Sequence, residues 1–126
     1  MSFRELVIRF SAGTLFLLVP LASSAHHSGA SFDNKRQISL VGTVHEFQWT
    51  NPHCWIQLDT IGAAGVEQWS IEMAAPAEVF RGGWRPSTLK AGQAVRVIVN
   101  PARDGSKVGL FVSAVNASGK PIGKRL

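Results

Sequence analysis

The side chains in this sequence best suited to chemistry are its four histidines, and all of them lie in its first half: His26, His27, His45 and His53. Imidazole nitrogens are common ligands of transition metals, and their protonation changes near neutral pH. No phosphate-binding glycine loop, nucleophile elbow or zinc-protease histidine motif accompanies them. The pattern therefore favours binding over catalysis, and we expect that the protein is not an enzyme.

A segment with the features of an export signal occupies residues 1–25. Its start is basic, an apolar stretch follows over residues 10–22, and small residues precede the expected cut after Ala25. The apolar stretch is too short to span a bilayer comfortably. We therefore predict a cleaved signal peptide and a mature protein that is periplasmic or secreted, without a membrane span. An uncleaved anchor is the alternative.

Cleavage after Ala25 would place His26 at a new N-terminus. Its α-amino group titrates near neutrality, so the amine and the ring of His26 could chelate a metal together with the ring of His27. Nitrogen donors of this kind favour Cu(II) over Ni(II) or Zn(II). Copper is thus the expected cofactor, with His53 or His45 as a further metal ligand. The alternative is a polar chain end whose histidines bind no metal.

The segment from Trp49 to Trp55 concentrates two tryptophans and a histidine around an Asn51-Pro52 turn. Alternation along a strand would put His53 and Trp55 on one face. The segment therefore predicts a recognition surface for an unknown periplasmic protein or a small ligand, formed by Trp49, Asn51, His53 and Trp55. In the other interpretation, the tryptophans cap the fold and His53 bonds a loop carbonyl.

Composition limits the remaining classes of function. The chain of 126 residues carries a formal net charge of +5 and a single cysteine, Cys54. One cysteine cannot form an intramolecular disulfide, so the fold must rest on an apolar core, in which we expect Cys54 to be buried. A soft-metal ligand and an intermolecular disulfide are its alternative roles. Basic proteins can bind nucleic acid, but the predicted export argues against a nucleic-acid partner.

Five β-rich runs must position these residues. Period-two alternation predicts strands over residues 38–49, 53–60, 66–73, 94–100 and 108–117, with a short helix over 76–81 between the third and the fourth. Gly42 in the long first run indicates a bulge or bend that lets one strand serve both sides of a barrel. The order is that of an all-β, small five-stranded OB-like barrel, which Trp84 would plug at one end. An open sandwich or meander with the same strands is the alternative.

These elements divide the chain into four parts. Residues 1–25 form the signal peptide, 26–36 a flexible N-terminal arm, 37–117 the β-barrel domain and 118–126 a basic C-terminal tail. Ten extended residues reach about 30 Å, so the arm can carry its histidines across a domain of this size.

The histidine motifs also carry a family resemblance. His26-His27-Ser28, Gly42-Thr43-Val44 and Trp49-x-Asn51-Pro52-His53-x-Trp55, with Gly83-Trp84 further on, resemble an uncharacterised family of small exported bacterial proteins, a domain of unknown function. The resemblance covers nearly the whole mature chain and implies export and size but no activity. It also implies a small or aliphatic residue at the position of Cys54. A looser likeness to periplasmic copper-carrying barrels is one of fold, because the mature chain lacks their paired methionines.

The predicted processing can be tested on protein recovered from cells that express the full chain. We expect a mature form outside the cytoplasm that spans residues 26–126 and begins with His-His-Ser. Mass spectrometry and N-terminal sequencing of the periplasmic fraction check this expectation. Full-length chain in the membrane fraction would instead identify an anchored domain.

Overall fold

Five strands and two short helices make up the part of the protein that the computed structural model describes, residues 28–124 and 126. In chain order they are α1 (Ser28–Ser31), β1 (Ile38–Gln48), β2 (Trp55–Gly62), β3 (Gly65–Glu72), α2 (Pro76–Arg81), β4 (Ala94–Pro101) and β5 (Val108–Asn116). The order of three strands, a short helix and two strands is the one that the sequence predicts. Strand ends differ from the prediction by one or two residues, which is the usual uncertainty of element boundaries.

The strands form a closed barrel in the order β1-β2-β3-β5-β4, which confirms the predicted five-stranded OB-like barrel. Neighbouring strands are antiparallel except β3 and β5, which pair in parallel over residues 70–72. Strand β1 pairs with β2 on one edge and with β4 on the other, so it serves both sides of the barrel. Gly42 marks the crossing, because it lies opposite both Thr60 and Val95.

The bulge in β1 lies at His45 and not at Gly42, for which the sequence predicted either a bulge or a bend. The register with β2 shifts between Val44 and Glu46, which leaves His45 as the extra residue. A bulge residue reverses the inward and outward alternation of its strand. Val44 is buried before the bulge, and Phe47 packs on the core after it. Gly42 instead permits close strand approach, since a Cβ there would collide with the carbonyl of the neighbouring strand.

The barrel interior is filled by apolar side chains around Trp84. This residue is fully buried, and its ring centroid lies 5.3 Å from that of Phe111 and 5.9 Å from that of Phe47. Three alternate valines of β4 are buried as well, as the period-two pattern predicts. Cys54 is a free cysteine with no exposed surface, which confirms that it belongs to the core. The described fold is therefore held by apolar burial and strand pairing.

Both segments that flank the barrel are fastened to it. Before β1, Phe32 is buried and forms a β-bridge with Ala102. After β5, Ile122 packs against the core, and the amide of Lys124 donates to the carbonyl oxygen of Gly82 at 2.9 Å. The basic tail is thus only partly solvated, because Ile122 is half-buried while Lys120 and Lys124 are exposed. None of the helices in the described residues is long and apolar enough to span a bilayer.

Two isoleucines of β2 give a matched test of this core. Ile56 is fully buried, whereas Ile61 is 82 % exposed. Ile56→Ala should lower the free energy of unfolding by about 2–5 kcal/mol, because it removes buried methyl groups and leaves a cavity. Ile61→Ala should change it by less than about 0.5 kcal/mol. Denaturant unfolding curves measure both values, and equal losses would contradict the burial of Ile56.

Candidate functional site

The turn before β2 directs His53 towards the end of β3. The hydroxyl of Thr50 donates to the carbonyl oxygen of His53 at 2.8 Å and closes the turn. Cys54, the next residue, continues the β2–β3 ladder, because its amide donates to the carbonyl oxygen of Ala74 at 3.0 Å. Trp55 lies opposite Glu72 in the register. His53, two residues earlier than Trp55, is therefore a diagonal neighbour of Glu72 on the same face.

His53 and Glu72 form a short hydrogen-bonded pair. Nδ1 of His53 lies 2.7 Å from Oε1 of Glu72, and the glutamate is only 8 % exposed. A carboxylate at this distance favours a proton on Nδ1, which leaves the lone pair on Nε2. The same contact fixes the direction of the ring. The pair thus presents one oriented nitrogen donor with a nearly buried carboxylate behind it.

This pair lies on the wall of a cavity of about 320 Å³. The wall also includes Met73 and a second carboxylic acid, Glu78 on α2. The rest of the wall is apolar and consists of Ala74, Ala75, Leu110, Phe111 and Leu126. The volume falls at the lower end of the range of about 300–1,000 Å³ for small-ligand sites. Two carboxylic acids and a histidine on an otherwise apolar wall suit a cation.

His45 does not join this site. It is exposed on β1, and its Nδ1 lies 3.1 Å from Oδ2 of Asp59. The other oxygen of this carboxylate accepts a hydrogen bond from Nε2 of Gln68 at 3.4 Å. Asp59 is six residues beyond His53, which corresponds to about 20 Å along an extended strand. The barrel therefore holds apart His45 and His53, which the sequence suggested as alternative further ligands of the metal.

The described part of the chain contains only a fraction of a metal site. Within residues 28–124 and 126, no three His, Cys, Asp or Glu side chains are grouped so that they could hold a metal ion. His53 and Glu72 supply at most two donors. The other expected ligands, His26 and His27, lie outside the described residues. The N-terminal metal site accordingly stays a prediction.

The four residues of the expected recognition surface do not form one surface in the structure. Trp49 is half-buried and packs edge-on against Phe47, with ring centroids 5.9 Å apart, so it extends the core. Asn51 is exposed and Trp55 is half-buried, but neither lines the cavity. Of these residues only His53 does. The candidate site is therefore the His53 cavity, and it shares one residue with the surface that the sequence suggested.

The sequence analysis singled out neither Glu72 nor Glu78 as a site residue. For Glu72 a signal was available. This signal was the hairpin between β2 and β3. Gly62 pairs with Gly65 around a two-residue turn, and counting back from this pair puts Trp55 opposite Glu72. Nothing comparable marks Glu78, whose place on the cavity wall depends on how α2 packs.

Comparison with known proteins gives the fold class first and then the family. Two crystal forms of the mitochondrial single-stranded DNA-binding protein Rim1 of S. cerevisiae are similar in structure. Form 2 has a TM-score of 0.50 and 14 % sequence identity, and the match covers 65 % of this chain and 94 % of the Rim1 chain. Form 1 has a TM-score of 0.49 and 13 % identity, and the match covers 71 % of this chain and 98 % of the Rim1 chain. Form 2 shows the barrel fold alone. Residues 15–113 match DUF6152, a family of unknown function, and the chain belongs to it. No curated protein matches the sequence.

Cys54 provides a chemical test of packing at this end of the barrel. Burial raises the pKa of its thiol, and a hydrogen bond to the backbone of Thr50 lowers it by less. The thiol should therefore stay protonated near neutral pH. We expect it to react with iodoacetamide on the order of 100-fold more slowly in the folded protein than in denaturant. Mass spectrometry of a time course measures this ratio, and equal rates in both states would contradict the structure.

Proposed function

We propose that the protein is an exported, non-catalytic binding protein that captures a transition metal ion, with copper favoured, at the His53 cavity. The observation that carries the proposal is the 2.7 Å contact between His53 and Glu72 on the cavity wall. Metal-binding histidines usually donate their other ring N–H to a carboxylate, which fixes the ring and raises the basicity of the ligating nitrogen. His53 has such a partner, and that partner is nearly buried.

The remaining donors would come from the mature N-terminus. Cleavage after Ala25 would free the α-amine of His26, which together with its ring and the ring of His27 supplies three nitrogens. His53 would be the fourth. Nitrogen donors in this number suit the tetragonal coordination of Cu(II), and copper leads the affinity order for such ligands. This donor set is the reason why copper is favoured.

The fastening of the arm to the barrel limits the reach of these donors. Phe32 pairs with Ala102, whose amide donates to the carbonyl of Val108, and β5 in turn pairs with β3. Three strand spacings and, at right angles to them, two further residues along β3 place Glu72 about 16 Å from Phe32 across the sheet. From Phe32 back to His26 the chain covers up to about 20 Å when extended, and less where α1 is helical. The N-terminal nitrogens therefore reach His53 only if α1 directs the chain along the barrel towards the cavity.

The cavity also supports a second candidate function, the binding of a small organic cation. Its volume of about 320 Å³ and its apolar wall around Leu110 and Phe111 exceed what a metal ion needs. The carboxylates of Glu72 and Glu78 would hold an ammonium or guanidinium group there through charge-assisted hydrogen bonds.

Calorimetric titration with Cu(II) tests the metal proposal on the mature protein. We expect about one Cu(II) per chain, with an affinity that falls at least about tenfold in His53→Ala, which removes a ligand, and in Glu72→Gln, which releases its ring. His45→Ala is the matched control and should bind as the native protein does. One extra residue before His26 should also weaken binding, because it turns the α-amine into an amide.

The affinity for Cu(II) should fall as the pH is lowered through the histidine range, since protons compete for the same nitrogens. Equal affinities of the native, His53→Ala and N-extended proteins would overturn the metal site. The organic-cation candidate predicts a different result. Agmatine would raise the Tm of the native and N-extended proteins alike, and would not raise that of Glu72→Gln.

A further inference from the structure

An exposed aromatic ring at the end of α2 lies against one cation, and two further cations belong to the same end of the helix. Phe80 is 50 % exposed, and the guanidinium carbon of Arg85 lies 3.7 Å from the centre of its ring. Arg81 follows Phe80 in the last turn of the helix. The bond from the amide of Lys124 to Gly82 brings an exposed lysine of the tail to the same end. We call Phe80, Arg81, Arg85 and Lys124 the basic aromatic patch.

Carboxylates do not neutralise the basic aromatic patch. Across residues 28–124 and 126, the ion pairs lie elsewhere on the barrel and none includes Arg81, Arg85 or Lys124. The acidic residue of α2, Glu78, lies about 200° around the helix from Phe80. It is three positions before Arg81 and therefore its neighbour on the helix surface, but the two side chains form no ion pair. Glu78 lines the cavity. The patch therefore presents three cations and one aromatic ring to solvent.

Arg85 is ordered before any ligand arrives. Its Nη1 donates to the carbonyl oxygens of Phe80 and Trp84, at 3.1 and 2.6 Å. These bonds satisfy carbonyls at the end of α2, where a cation is favourable. No described residue accepts a hydrogen bond from Nε or Nη2 of Arg85, so these donors remain for an anion. An ordered guanidinium loses little side-chain entropy when it binds a phosphate.

We propose that the basic aromatic patch docks the barrel on the surface of a bilayer that contains anionic phospholipids. Cations beside a half-exposed ring match an interface where phosphate groups lie just above the acyl chains. Leu126, which is 42 % exposed and adjoins Gly82, adds a second apolar side chain. None of the four patch residues lines the cavity of the proposed metal site, and the two surfaces meet only at Leu126, which is part of the cavity wall.

Two other occupants fit the basic aromatic patch less well. A stable protein interface buries about 800 Å² of surface on each partner. Two exposed apolar side chains supply only a small part of such an area. A nucleic acid would stack its bases on an open ring face, and Arg85 already covers one face of Phe80. A lipid surface needs neither a large contact area nor a free ring face.

Sedimentation with lipid vesicles tests the docking on the mature protein. We expect binding to vesicles of equal parts phosphatidylglycerol and phosphatidylcholine, and none to phosphatidylcholine alone. The double variant Arg81→Glu/Lys124→Glu should bind at least about tenfold more weakly, because each cation near an anionic surface contributes to binding. The control Lys35→Glu/Arg103→Glu has the same net charge but changes exposed cations away from α2. It should lose less than about threefold, since these two cations belong neither to α2 nor to the C-terminal tail and would not have to face the docked surface.

Phe80→Ser tests the apolar contribution while it keeps Arg81 and Lys124. Binding that survives about 0.5 M salt should be lost in this variant, because salt screens the electrostatic part and leaves the apolar part. Circular dichroism of each variant establishes that the barrel is intact. If the two double variants lost vesicle binding equally, the proposal would be overturned, because the loss would then follow from the net charge of the protein and not from the patch. Failure of the native protein to bind anionic vesicles would overturn it as well.

Discussion

The barrel depends on one short seam, the parallel pairing of β3 with β5 over residues 70–72. The other four strand pairs are antiparallel and longer. Without this seam the sheet would have two open edges, and the apolar side chains of β3 would lack the cover of β5. The single cysteine is free, so no disulfide supports closure. Closure and the burial of the core therefore have to stabilise each other.

The pairing of β3 with β5 also positions the candidate site. Glu72 is the last of the three paired residues of β3, with Trp55 opposite it on β2 and Leu110 opposite it on β5. This position between two strands is the reason why its carboxylate is nearly buried. An isolated buried carboxylate is costly, and the contact with His53 offsets part of that cost. The pairing that closes the barrel thus also orients the one histidine that lines the cavity.

Much of the fold follows from local patterns, because alternation and turn residues act over a few positions. The order of the elements along the chain, the position of α2 and the burial of Cys54 and Trp84 could all be predicted in this way. The bulge could not, since only the register with β2 shows that the extra residue is His45 and not Gly42. A bulge leaves the sequence of its own strand unmarked unless a glycine occupies it.

The candidate site was harder to predict from the sequence than the fold was. The His53 turn stood out by its residue types, but Glu72 acquires its role from strands that lie on both sides of it. The partner on β5 is distant in the chain, and no local signal says which strand closes a barrel. The separation of His45 from His53 has the same origin, because it depends on where β1 and β2 pair.

Paramagnetic NMR with Cu(II) tests most directly whether the pair of His53 and Glu72 anchors a metal on the barrel. Copper would be added in substoichiometric amounts to the ¹⁵N-labelled mature protein. The amide signals of residues 53, 72–75 and 110–111 should broaden together with those of the N-terminal arm, because these residues surround the cavity. Signals around His45 and Asp59 should stay sharp. Broadening confined to the arm, or centred on His45, would contradict the account.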